Sequence, residues 1–309
     1  MINPISQVNP IYLVFEFITY GLFIACLWHA ARQHGRHRVL ELVFTLIYGV
    51  LLEWLTIRQL AAYRYGRFLI MIDDAPLVIG MGWAVIIYSA MEFTARLRMP
   101  DMARPLFDAL LALNIDLSMD AIAIRLMDGV TPGQGMWHWG AITTQNAEWF
   151  GVPWANFWAW FFVVASFSLF VRWLRPWREH PVRGWLYVPL AFGLSLFTLL
   201  LSNEIFRSVM VPLNARFSGP LVVVGGALVI VLGTRPRVQH AGPPEAVVLA
   251  VPLAFHLIYM GAALITGIYA ATPALAVVGV SMFVIGLAVH LWPWWAGRRE
   301  AAVAPTSSA

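Results

Sequence analysis

Lysine is absent from this chain of 309 residues, and all 20 basic side chains are arginine. Charge of either sign is scarce, at 12% of residues, where a soluble domain carries about a quarter. A solvated globular surface cannot be built from so little. Cys26 is the single cysteine and lies in an apolar run, which excludes an internal disulfide and a thiolate cluster. No phosphate-binding glycine loop, dinucleotide fingerprint, nucleophile elbow or His/Cys metal pattern occurs, so no motif calls for a nucleotide, a cofactor or a metal. The N-terminus lacks the basic region and small-residue cleavage site of a signal peptide, and the first apolar run is expected to remain in place.

What the chain has is oil. Hydrophobic residues make up 60% and mean hydropathy is +0.73. These values imply an all-α, polytopic integral membrane bundle, a single membrane domain over 1–309. Nine apolar runs are candidate spans: 11–31, 39–58, 76–95, 105–126, 153–174, 185–206, 218–233, 246–270 and 273–295, with a short tail at 300–309 expected to be disordered. The run at 218–233 is short and glycine-containing, so eight spans is the alternative count. Fourteen arginines, among them Arg36, Arg98, Arg175 and Arg299, fall in the alternate connections that share one side. The basic balance therefore reads as membrane topology rather than as a nucleic-acid surface. The positive-inside rule places the N-terminus outside and the C-terminus in the cytoplasm, in a membrane expected to be the bacterial inner one.

Within 105–126 the segment Leu106–Leu126 holds Asp116 and Asp120 among apolar residues. A helix of that length spans about 30 Å, the thickness of the hydrocarbon core. Residues four apart share one face, so the two carboxyls point the same way. Each charged carboxylate at that depth costs about 2.5–3.5 kcal/mol, and two neighbouring ones avoid a double charge by sharing a proton. The functional reading is a carboxylic acid kept protonated in oil; the structural alternative is an interhelical hydrogen-bonding pair. By depth, Glu53, Asn156, Glu16 and Glu204 fall in the same outer layer. Asn156 reads equally as a cap for the fifth span.

The connection at 127–152 breaks helix at Gly129, Pro132, Gly133 and Gly135. From Trp137 to Trp160 it and the start of the next span are crowded with Trp and Phe, beyond what an interfacial belt needs. An outer aromatic lid is expected there. His138, between two tryptophans, is read as an exposed loop residue. His29, His34 and His37 are read as a solvated face, and His256 and His290 as packing residues.

The order Asp116-x-x-x-Asp120, Trp137-x-Trp139, Trp149-Phe150-Gly151-Val152-Pro153, Asn156 and Trp160 resembles the membrane carotenoid-biosynthesis family that contains the CruF-type carotenoid hydratases. Weaker matches are Glu53, Tyr63-x-Tyr65, Pro76 and Trp83, so the resemblance covers about 53–160. Ala121 stands where the family has proline, Ala159 where it has glycine, and residues 58–62 replace its glycine-rich stretch, as in a divergent member. The resemblance implies a cofactor-independent hydro-lyase that adds water to the terminal isopropylidene C=C of a linear or monocyclic carotenoid. It also implies a lipophilic polyene entering from the bilayer and other carotenoid-biosynthesis enzymes as partners, with no nucleic acid.

In this reading Asp120, alone or as a unit with Asp116, donates the proton. Glu53 or Asn156 handles water. Trp137 and Trp139 offer π faces to a cation, and Tyr63, Tyr65, Trp83, Phe150 and Trp160 complete the substrate site. Two rivals use the same residues differently. A proton-coupled transporter would employ the acid pair as a relay, although no internal repeat or pair of broken helices is apparent. A carotenoid-binding scaffold would need the pair for structure alone.

Overall fold

The computed structural model describes residues 1–60, 63–140, 148–239 and 242–303. Nine helices in the described residues correspond to the nine apolar runs: α1 Pro10–Gln33, α2 Arg36–Leu55, α3 Leu77–Ala95, α4 Arg104–Ala123, α5 Trp154–Leu174, α6 Arg183–Ile205, α7 Ser218–Gly233, α8 Ala246–Ile265 and α9 Pro273–Val303. Local chemistry sets several boundaries. The Asn9 side chain accepts from the Ile11 N–H at 2.8 Å and Pro10 opens α1. Gly35, at φ +76°, turns the chain from α1 into α2. α8 ends at Ile265, short of the expected 270, where Gly267 at φ +75° breaks it before a separate turn at Ile268–Ala271. Of the expected tail 300–309, α9 includes residues through Val303, and 304–309 lie outside the described residues.

Seven of the helices are long and apolar enough to cross a membrane. The exceptions are α4, which carries three aspartates, and α7, which has 16 residues. α7 nonetheless reaches from one end of the bundle to the other. Phe217, at its start, meets Trp154 at the start of α5 with ring centroids 4.9 Å apart. Beyond its other end Arg237–Val238 pair with Leu97–Arg98, just past α3. Sixteen residues cover about 24 Å. At the opposite end from that ladder, β1 (Tyr63–Tyr65), between α2 and α3, pairs antiparallel with β2 (Trp137–Trp139), between α4 and α5. We call this the lid end.

α4 is the central helix, packed against α3, α5, α7, α8 and α9. Apolar side chains at the rim, such as Phe17, Phe197, Val222 and Val277, stay exposed, as lipid-facing residues must. α2 and α3 approach closely because two glycines face each other. A Cβ on Gly80 would lie 2.4 Å from Val50 Cγ2, and one on Gly49 would lie 2.9 Å from Gly80 Cα. This contact brings Glu53 of α2 beside Trp83 of α3.

The end opposite the lid is held by buried ion pairs. Arg38 bonds to both Glu41 and Glu92. Arg175 reaches Glu41 with Nη2–Oε2 at 2.9 Å, and the Tyr187 hydroxyl donates to Glu41 Oε1 at 2.8 Å. Arg172 pairs with Asp108 at 3.0 Å, where Thr94 and Ser168 also donate. His34 lies 3.1 Å from Glu92, and His29 meets the Tyr88 hydroxyl at 2.7 Å. The solvated reading is corrected for His29 alone, which is largely covered and lies 2.6 Å from Glu245, whereas His34 stays exposed as expected.

Candidate active site

The site is built on the lid-end half of α4. Asp116 and Asp120 lie one turn apart and are buried, at 0% and 3% exposure. Asn156 Nδ2 donates to Asp116 Oδ2 at 2.9 Å and to Asp120 Oδ2 at 2.6 Å. One amide nitrogen thus draws both carboxyls together. Asn156 is the third residue of α5, past Pro153, and makes no cap bond. The capping alternative is replaced by a direct role at the acid pair. Asp116 Oδ1 is buried without a partner among the described residues apart from the adjoining carboxyl.

Glu53 faces Asp120 across a cavity whose lining includes both. Its Oε1 accepts from Trp83 Nε1 at 2.8 Å, and its Oε2 accepts from the Tyr65 hydroxyl at 2.7 Å and from Tyr63. Burial, joined by the neighbouring Glu53 charge, pushes both phenols well above their ordinary range. They therefore remain donors, and three donors converge on one carboxylate.

The spacing of two in Tyr-x-Tyr and Trp-x-Trp has one cause. In the β1–β2 ladder Tyr63 is opposite Trp139 and Tyr65 opposite Trp137, while Arg64 is opposite His138. Alternation along a strand sends the four aromatic side chains to one face and the Arg64/His138 pair to the other. Tyr63 meets Trp139 edge-on at 4.8 Å and Tyr65 meets Trp137 at 5.9 Å. The lid is tied to the bundle. Gly66 N–H donates to Met136 O at 2.9 Å, and Gly135 passes so near α4 that a Cβ would lie 2.3 Å from Ile124 O. His138 is exposed, as expected. Residues 141–147 of the expected lid lie outside the described residues.

The cavity encloses about 490 Å³ of empty space, including its open mouth. It gathers Glu53, Tyr63, Tyr65, Trp83, Asp120, Trp137, Trp139, Asn156 and Trp160. Trp83 and Trp160 pack at a tilt of 43° with centroids 4.1 Å apart. Two expected residues stand apart from the lining. Asp116 sits behind Asp120 and reaches the cavity through it. Phe150 is turned away at φ +50°, packs edge-on against Trp149 at 5.0 Å, and gives its carbonyl to Arg125 Nη1 at 2.8 Å. It braces the C-terminal end of α4 and does not line the cavity. Among the depth-selected carboxylates, Glu16 accepts from Leu69 N–H at 2.6 Å and anchors the chain after β1, while Glu204 is exposed beside Arg207.

Sequence reasoning missed Phe15, Ile79, Gly82, Ile86, Met119, Phe255 and Tyr259, which complete the wall. Apolar residues in apolar spans carry no distinguishing signal, and Tyr259 of α8 reads as any tyrosine in such a run. Among the described residues no group of three or more His, Cys, Asp or Glu could hold a metal ion.

No curated protein and no solved structure matches the chain. A family model described as carotenoid biosynthesis protein matches residues 8–230. That range contains the acid pair, Glu53, both strands of the lid and Asn156, and stops short of α8. The chain is a membrane protein of the carotenoid biosynthesis protein family.

Proposed function

We propose that the protein hydrates a terminal isopropylidene double bond of a linear or monocyclic carotenoid. The observation that carries this reading is one apolar, aromatic-walled cavity with a carboxyl pair on one side and a fully hydrogen-bonded carboxylate on the other. An alkene is a weak base, and its protonation requires an acid that keeps its proton in a dry site. Asp120 lines the cavity and donates; Asp116, coupled to it through Asn156, resupplies the proton. The proton adds to the CH carbon of the C=C bond and leaves a tertiary cation on the dimethyl carbon. Water attacks that carbon, then loses a proton that returns to the carboxylates, so the balance is one alkene plus one water to one tertiary alcohol.

The cation is met by charge and by π faces. Glu53, held by Trp83, Tyr63 and Tyr65, supplies a carboxylate, and each desolvated tryptophan face offers about 2 kcal/mol. The cavity is partly enclosed and open at its mouth. It suits one end group, with the remainder of the polyene extending toward lipid. The lid end faces outside in this reading, following the arginine asymmetry.

The test is mass-resolved chromatography of pigments from a lycopene-producing host with and without the protein. A species heavier by one water is the expected result. Unchanged pigment, with the protein present in the membrane, would remove lycopene hydration.

A further inference from the structure

Two polar atoms in the cavity are left over once the acid pair and Glu53 are accounted for. The Tyr259 hydroxyl and the Trp139 indole nitrogen are both buried, and neither has a hydrogen-bond partner among the described residues. Both residues line the same cavity as Asp120 and Glu53. Tyr259 is 2% exposed and its ring meets Phe15 edge-on at 5.7 Å, so packing fixes where the hydroxyl points. Asp120 and Asp116 are near enough to act on it electrostatically.

A buried hydroxyl without a partner costs about 1–3 kcal/mol, and such groups in folded proteins call for an explanation. Packing alone would be served as well by phenylalanine, as at Phe255 one turn earlier on α8. What the hydroxyl adds is a donor and an acceptor within an otherwise apolar wall. Trp139 adds a donor. A water molecule needs two to four such partners to be held in a cavity.

We propose that the Tyr259 hydroxyl, together with the Trp139 N–H, holds the water that attacks the cation. This rests on the hydration reading and deepens it, because it separates the two halves of the reaction. Asp120 forms the cation, whereas Tyr259 and Trp139 deliver oxygen to it. Tyr259 belongs to α8, beyond the residues 8–230 that the family model matches, so the water-holding group is supplied by a part of the chain that the family match does not describe. The hydroxyl accepts from one hydrogen of the water or donates to its oxygen, and the proton lost after attack passes to the carboxylates. No bond to Tyr259 forms or breaks.

The experiment runs membranes containing the protein in D₂O buffer with lycopene as the probe, and compares wild type with Tyr259→Phe. Two products are read: the water adduct, and carbon-bound deuterium in recovered polyene, which appears when a cation forms and then loses a proton. Wild type should yield a deuterated adduct. Tyr259→Phe should lower the adduct at least about tenfold while deuterium still enters recovered polyene at the wild-type rate. Trp139→Phe should shift the partition in the same direction, and it decides the matter if the first variant does not accumulate.

An unchanged adduct in the variants overturns the proposal. So does a parallel fall in adduct and deuterium, which would place Tyr259 in the protonation step or in packing. If wild type gives neither adduct nor deuterated polyene, it is the hydration reading that fails, and the water site fails with it.

Discussion

The two ends of the bundle treat buried acids in opposite ways. Away from the lid, Glu41, Glu92 and Asp108 each meet an arginine: Arg38 and Arg175, Arg38, and Arg172. At the lid end Asp116, Asp120 and Glu53 meet Asn156, Trp83, Tyr63 and Tyr65, with no ion pair to any of the three among the described residues. A carboxylate locked to a guanidinium is a permanent anion that contributes to architecture. A carboxyl held by neutral donors can exchange its proton. Both groups are buried carboxyls in one bundle, so burial alone does not mark a site; the nature of the partner does.

The largest expected effect tests the paired end. Arg38→Met leaves Glu41 and Glu92 short of a counter-charge and should cost about 3–5 kcal/mol of stability, seen as a collapse in membrane abundance or detergent melting temperature. Product per folded molecule should hold. If abundance is unchanged, the network is not what secures that end. Asp120→Asn tests the other end and should invert the pattern. Folding is retained, because the amide is near-isosteric, but adduct formation falls at least about 10²-fold, the lower range for a general acid. Normal product in a lycopene-producing host would contradict the acid assignment. Trp83→Phe removes one donor from Glu53 and leaves a weaker π face, and adduct should drop about tenfold at constant abundance; a drop in abundance instead would make Trp83 a packing residue.

The smallest effect sharpens the comparison at the surface. Arg58 pairs with exposed Asp73 at 2.6 Å and, with Trp54, holds its carboxyl below the usual range. A depressed carboxylate contributes stability above its unfolded value and loses it as pH falls through the folded one. Arg58→Met should therefore alter melting barely at neutral pH and not at all in strong acid. A shift as large as that from Arg38→Met would mean that exposure does not separate the two classes.

The acid pair was legible because carboxylates in oil are conspicuous, and Asn156, Trp-x-Trp and Tyr-x-Tyr were legible as motifs. That the two aromatic motifs are partners in one ladder was not, since the pairing joins strands more than seventy residues apart in the chain and depends on how α2 and α4 sit in the bundle. Phe150 was misplaced because its backbone turns at φ +50°, a conformation that its side chain does not announce. The arginines were read as markers of topology. Arg38, Arg172 and Arg175 also serve as counter-charges, and nothing in their spacing distinguishes the two jobs. Tyr259 resembled any tyrosine in an apolar run until α8 was seen beside α1.

The central position of α4 has a consequence for biogenesis. With Asp108, Asp116 and Asp120 this helix is a poor candidate to enter a bilayer alone, at about 2.5–3.5 kcal/mol for each charge. α5 carries a complementary group for each: Arg172 and Ser168 for Asp108, and Asn156 for the other two. The two helices are therefore best delivered to the translocon's lateral exit as a hairpin, each concealing the other's polarity from lipid. The partner that holds the acids in place for chemistry is also the one that carries them into the membrane.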